Sequence, residues 1–180
     1  MKSKRVILGV TASIAIYKAC EIIRQLLRNN ICINVVMTEH AAHLISPQVF
    51  SSLSGGRAYW DMFADTYDWK IQHISLAKDA DLVLIAPATA NIIGKLANGI
   101  ADDLLTTTVM AVRAPVLIAP AMNENMYKNK IVQANIQKLK GLGYKFIEPK
   151  RGRLACGDVG VGHLADVETI VKAVKKQLSL

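Results

Sequence analysis

The sequence predicts an α/β protein: a doubly wound, Rossmann-like parallel sheet with helices on both faces, formed as one domain over residues 1–180. Three observations carry this prediction. Strand-like and helix-like patterns alternate along the chain with short joints between them. The strand-like runs are apolar on both faces, as strands covered from both sides are. The residues with unusual chemistry fall just past the ends of those runs, where open α/β sheets bind ligands.

The first predicted strand is "RVILGV" (5–10). After it, Ala15, Ala19, Ile22, Ile23, Leu26 and Leu27 recur at helical spacing, with Lys18, Glu21, Arg24, Gln25 and Arg28 on the opposite face. "INVVM" (33–37) then completes a β-α-β unit. "SLSGGRAYWDMFADTYDW" (52–69) is the longest irregular stretch, and Trp60 and Trp69 within it suit a lid or a subunit contact better than disorder. "DLVLIAP" (81–87) and "APVLIAP" (114–120) are two further buried strands, with helices predicted over 91–98 and 102–112 between them. One helix is predicted over 123–142, stopped by Gly141 and Gly143, followed by a strand in "YKFIEP" (144–149). The last helix takes Asp166 as its N-cap and buries Val167, Ile170, Val171, Val174 and Leu178. "RLACGDVGVGHL" (153–164), with its three glycines, suits neither a strand nor a helix.

Composition narrows the function classes. Every apolar run is broken well before the roughly 20 residues a membrane span needs, and the basic, apolar start lacks a cleavage site. The expectation is a cytoplasmic protein with no membrane partner. Three cysteines without CxxC spacing predict no disulfide framework. Cys20 and Cys32 read as small buried hydrophobes, whereas Cys156 lies in loop chemistry. The formal net charge of +8 points to anionic partners. Its basic residues are scattered over solvated helix faces, such as Lys172, Lys175 and Lys176, which argues against nucleic acid; a phosphorylated small molecule needs only one or two placed cations. His40, His43 and His163 lack the spacing of metal ligands, so no metal is predicted.

The turn "GVTASI" (9–14) lacks the G-x-G-x-x-G that lets a backbone approach a pyrophosphate. Its Thr11 and Ser13 hydroxyls suit one terminal phosphate, or simply a helix cap; Glu39 keeps a dinucleotide reading open. In "APATANIIGKLANGIADDLL" (86–105), Thr89 and Asn91 can bind a heterocycle or phosphate, or cap a helix. Asp102 and Asp103 mark a second helix start. "PAMNENMY" (120–127) puts Asn123 and Met126 at the same mouth, where an amide binds a carboxylate without adding charge, or caps again. His73, in "WKIQHISLAKDADL" (69–82), suits proton transfer, anion binding or a structural place.

Taken together, "PAMNENMY", "APATAN" followed by "NGIADDLL", "HISL" and "RLACGD" resemble, in order and over essentially the whole chain, the motifs of the flavin-containing cysteine decarboxylases. Tyr127 stands where the family pattern has tryptophan. The resemblance implies a bound FMN lined by Gly9, Val10, Thr11, Ser13, Thr38, Thr89, Ala90, Asn91, Ile92 and Ala121. It implies substrate binding by Asn123, Arg153 and Ala155, with His73 as base or carboxylate partner and Cys156 as acid. The implied substrate is 4'-phosphopantothenoylcysteine, whose thiol is oxidised so that CO2 can leave and is then reduced again to give 4'-phosphopantetheine. Peptidyl-cysteine decarboxylases stop at the oxidised enethiol and need no final proton donor, so "ACGD" favours the full reaction. Flavin prenyltransferases would leave that motif and PxMNxxM unexplained, and a catalytically silent flavin-binding regulator is disfavoured only by the presence of His73, Asn123 and Cys156. Relatives are homotrimers, often built into dodecamers, with the flavin at a subunit boundary. A separate phosphopantothenate–cysteine ligase is the expected pathway partner.

Overall fold

The structure is a computed structural model describing residues 3–63, 72–153 and 159–180. Strand β1 (Lys4–Val10) leads through a short 3-10 turn (Ile14–Tyr17) into α1 (Lys18–Arg28), and β2 (Ile31–Met37) follows. Then come α2 (Glu39–Leu44), α3 (Pro47–Ser54), a two-residue strand β3 (Ala58–Tyr59) and α4 (Gln72–Asp79). Strand β4 (Leu82–Ala88), α5 (Ala90–Ala97), α6 (Leu104–Ala111) and β5 (Val116–Pro120) form the next pair of units. The chain closes with α7 (Glu124–Lys128), α8 (Lys130–Gly141), β6 (Lys145–Phe146), a hairpin of β7 (Lys150–Arg153) and β8 (Val159–His163), and α9 (Val167–Leu178).

The main sheet is parallel throughout, with strand order β3-β2-β1-β4-β5-β6. Chain order therefore reverses direction between β1 and β4, which opens a crevice at their carboxyl ends. Side-chain alternation sends Val6, Leu8 and Val10 of β1 into a core with Ile22, Ile23 and Leu26 of α1 and Ile170 and Val174 of α9. Ile7, Val83, Ile85 and Ile118 point the other way, onto Ile92, Leu105 and Leu139. Each such fully buried aliphatic side chain contributes roughly 1.5–3 kcal/mol. Exposed ion pairs such as Arg5–Asp79 contribute about 0–1 kcal/mol, so the two apolar layers dominate the fold's stability.

Several expectations are corrected. The helix predicted over 123–142 breaks at Asn129, whose extended backbone (ψ 132°) and side chain, accepting from Ile131 N at 2.9 Å, restart it as α8. Part of the stretch expected to be irregular is ordered as the end of α3 and as β3; residues 64–69 of it lie outside the described residues, and Trp60 is 41% exposed. Cys20 is only half-buried, and Cys32 is exposed near the amino end of β2; its Sγ lies 3.2 Å from Ser3 Oγ. Asp166 occupies the cap position of α9 without capping it, because its carboxylate turns to Lys150.

The glycine-rich segment is the largest departure. Arg153 and 159–163 belong to the antiparallel hairpin, because the glycines of β8 let it dock on the turn after β5. Met122 N donates to Gly162 O at 2.9 Å, and Val161 N donates to Glu124 Oε1 at 3.1 Å. A methyl group at Gly160 would lie 2.5 Å from Glu124 Oε2. One at Gly162, where φ is +141°, would collide with the Met122 carbonyl oxygen. Gly162→Ala is expected to cost about 2–3 kcal/mol through this clash and the backbone strain. Thermal unfolding should show a Tm lower by several degrees, and an unchanged Tm would mean that the hairpin does not dock this way.

Candidate functional site

The crevice at the β1–β4 reversal holds a cavity of about 610 Å³, within the range of small-molecule sites. Three segments frame it. The first is the turn after β1, from Ala12 to Ala15, with Tyr17 and Lys18 behind it; the second is Thr89 at the end of β4. The third is the turn after β5, Ala121 to Asn123 with Met126, closed over by Gly162, His163 and Leu164 of the hairpin and its exit.

The turns are held by capping chemistry. Ser13 accepts from Ala15 N, Thr89 from Ile92 N at 3.4 Å, and Asn123 from Asn125 N at 2.8 Å. Thr11 does more: its hydroxyl, 1% exposed, donates to Pro87 O at 2.7 Å and accepts from Thr89 N at 3.1 Å. It ties the exits of β1 and β4 together. Asp103 resolves as a cap too, forming a reciprocal capping box with Thr106 on α6, while Lys95 pairs with both Asp102 and Asp103.

Of the residues singled out for cofactor or substrate, the structure brings Ser13, Thr89, Ala121 and Asn123 to the cavity wall. Gly9, Val10, Thr38, Ala90, Asn91 and Ile92 do not line it. Gly9 is a packing requirement, because a methyl group there would lie 2.8 Å from Leu105 Cδ1 of α6. Val10 and Ile92 are core residues, Thr38 caps α2, Ala90 begins α5, and Asn91 is exposed in its first turn. His73 is half-buried on α4 and does not line the cavity of its own chain. Arg153 ends β7, and Ala155 and Cys156 lie outside the described residues. Sequence reasoning assigned no role to Lys18 or His163 here. The only signal for them was position, since Lys18 follows the first turn and His163 hides in a run read as irregular.

The electrostatics around the cavity are cationic. Burial pushes the Lys18 ammonium below its ordinary value, Lys150 pushes the same way, and Asp166 opposes both. Asp166 itself is held below the usual carboxylate range, chiefly by its hydrogen bond from Lys150. Behind Asn123, burial and then the Glu148 carboxylate push Tyr127 up to about 12, so it stays a neutral donor to Glu148 Oε2 at 2.8 Å. Lys140 of α8 binds the other oxygen of Glu148, so that carboxylate ties the tyrosine of "PAMNENMY" on α7 to α8. A wall of backbone turns, one amide and two basic groups suits a ligand with a planar apolar body and an anionic end.

Comparison with known proteins agrees with that geometry. A protein-family model described as Flavoprotein matches residues 1–179. The chain is 49% identical over 179 residues to the coenzyme A biosynthesis bifunctional protein CoaBC of Bacillus subtilis, covering 99% of this chain but only 44% of that protein. It is 44% identical over 178 residues to a probable phosphopantothenoylcysteine decarboxylase of Streptococcus mutans, covering 98% of this chain and 99% of that one. Among solved structures, a cysteine-to-serine mutant of PPC decarboxylase complexed with pantothenoylaminoethenethiol superposes with a TM-score of 0.89 at 29% identity, over 99% of this chain and 100% of the other. The FMN-dependent cysteine decarboxylase SpaF superposes with a TM-score of 0.85 at 31% identity, over 98% of each chain. The crevice, the turns that frame it and a family match spanning nearly every residue agree: this chain belongs to the flavoprotein family.

Proposed function

We propose that this chain is an FMN-dependent carboxy-lyase that converts 4'-phosphopantothenoylcysteine to 4'-phosphopantetheine in coenzyme A biosynthesis, acting in the cytoplasm. The observation that carries the reading is the Met122–Asn123–Met126 turn, set at the mouth of a mononucleotide-sized crevice. The full-length similarity to the Streptococcus mutans protein supports the substrate, and the FMN-dependent structural relatives support the cofactor. The residues fit a mononucleotide: the first turn has no pyrophosphate fingerprint, and the Thr11 hydroxyl is engaged by Pro87 and Thr89. Ser13, Thr89 and Ala121 would hold the flavin, with Gly9, Val10, Thr11, Thr38, Ala90, Asn91 and Ile92 shaping the strand ends behind them.

When bound, FMN supplies a reversible two-electron acceptor, which a cysteine carboxylate needs because its decarboxylation otherwise has no electron sink. The chain's own residues do the rest. Asn123 offers the substrate carboxylate an amide that adds no charge, so the carboxylate is oriented without being stabilised against CO2 loss. Arg153 and Ala155 take the remaining anionic and backbone contacts, His73 accepts the proton or faces the carboxylate, and Cys156 delivers the final proton. A thiol with an ordinary pKa near 8.5 is protonated at neutral pH and suits that task. His73 is absent from the cavity of its own chain, so it would act across a boundary in a homotrimer, itself able to build a dodecamer.

Purified protein should be yellow and release FMN on denaturation. Incubation with 4'-phosphopantothenoylcysteine should give a product lighter by CO2 alone. A product lighter by CO2 and two further hydrogens would place the chain with the peptidyl-type enzymes, and no change would leave a flavin-binding regulator. His73→Asn is expected to lower turnover by about 10²-fold or more with flavin retained; an unaffected rate removes it from the mechanism. Cys156→Ser should still release CO2 yet accumulate the oxidised product, as read by mass, and a normal yield of 4'-phosphopantetheine would contradict the acid role.

A further inference from the structure

Among the described residues of the cavity wall, His163 and Lys18 carry basic side chains and none carries an acidic one. Two acids stand beside that wall: Glu124, next to Asn123, accepts from Val161 N and pairs with Lys128, and Asp166, two residues past Leu164, pairs with Lys150. Lys150 is the cross-strand partner of His163 in the hairpin, so the Lys150–Asp166 pair sits beside the cavity, and Asp166 divides its attraction among Lys150, Lys18 and His163. Among the described residues Lys18 makes no ion pair, although it is half-buried. A partly desolvated cation without an ion pair of its own gains from an anionic ligand.

The imidazole is also oriented. Its Nδ1 lies 2.9 Å from Leu164 O, and a carbonyl oxygen only accepts, so Nδ1 carries a proton and donates. Nε2 is thereby left as the nitrogen available to a ligand. With a proton there as well, the ring is an imidazolium that donates from both nitrogens. The backbone beneath it is fixed by the Gly162–Met122 hydrogen bond, which sets His163 against the Asn123 turn.

We propose that His163, together with Lys18, binds a phosphate monoester in this cavity. This rests on the function proposed above, where the cofactor and the substrate each bring one such group. A phosphate monoester carries between one and two negative charges near neutral pH and offers three acceptor oxygens, which matches two basic groups better than a carboxylate would. The phosphate belongs either to FMN or to 4'-phosphopantothenoylcysteine, and the chemistry of recognition is the same.

The test uses full-length protein and four ligands. Stripped protein is titrated with FMN and with riboflavin by flavin fluorescence, and holoprotein is assayed for KM with 4'-phosphopantothenoylcysteine and with its dephosphorylated form. His163→Gln should weaken one phosphorylated ligand by about 10-fold and leave its phosphate-free counterpart unchanged, whereas His163→Arg should preserve the preference. Loss confined to FMN assigns the cofactor phosphate, and loss confined to the phosphorylated substrate assigns the substrate's. Equal weakening of phosphorylated and phosphate-free ligands, or no change in either, overturns the proposal. Should His163→Gln fail to fold, Lys18→Gln carries the same comparison, and each outcome has the same meaning. Wild-type protein that takes up neither flavin and turns over neither substrate overturns the proposed function and this inference together; wild-type activity with an indifferent His163→Gln overturns this inference alone.

Discussion

One buried hydroxyl organises the site. Thr11 leaves the end of β1 and, from a position 1% exposed, donates to Pro87 O while accepting from Thr89 N. A buried hydroxyl without partners would cost about 1–3 kcal/mol, so the two strand exits are held at the spacing that satisfies it. Those exits flank the point where the sheet's chain order reverses. Ser13 caps the turn on one side and Thr89 caps α5 on the other, so the walls of the crevice inherit their position from a single bridging group. Thr11 therefore positions the residues of the site and does not itself line the cavity.

This explains what was legible in the sequence. The sheet could be read because β1, β2, β4 and β5 are apolar on both faces and helices such as α1 and α9 keep a clear 3.6-residue period; both signals arise from local burial. Thr11, Ser13, Thr89 and Asn123 were legible as polar residues at strand ends, but their division of labour was not. A hydroxyl that bridges two backbones 76 and 78 residues apart in sequence looks, in one dimension, the same as one aimed at a phosphate. Gly9 has a packing reason invisible in one dimension: its missing side chain makes room for Leu105 of α6, a contact set by tertiary packing.

The hairpin was unreadable for a different physical reason. Strand propensity measures how well side chains fit a pleated, half-buried surface, and Gly160 and Gly162 have none to fit. They form β8 because a backbone must come close to Glu124 and Met122, a demand that exists only once the β5 turn is in place. The strand is made by its docking partner, and His163 reaches the cavity as a consequence. Cys32 shows the converse case, in which a strand pattern was read correctly but the side chain near the strand's amino end stays exposed.

Charge follows the same logic of placement. The net +8 of the chain gives no address, because most of its cations are solvated or paired, as Lys95 is with Asp102 and Asp103. What distinguishes the cavity is that, among its described lining residues, Lys18 and His163 are basic and none is acidic, the acids beside it pairing with Lys150 and Lys128. In such a space a cation's attraction for an anion is less screened than at the surface, and position outweighs number. For the function proposed above, Asn123 would meet the substrate carboxylate with an uncharged amide, while Lys18 and His163 would meet a phosphate.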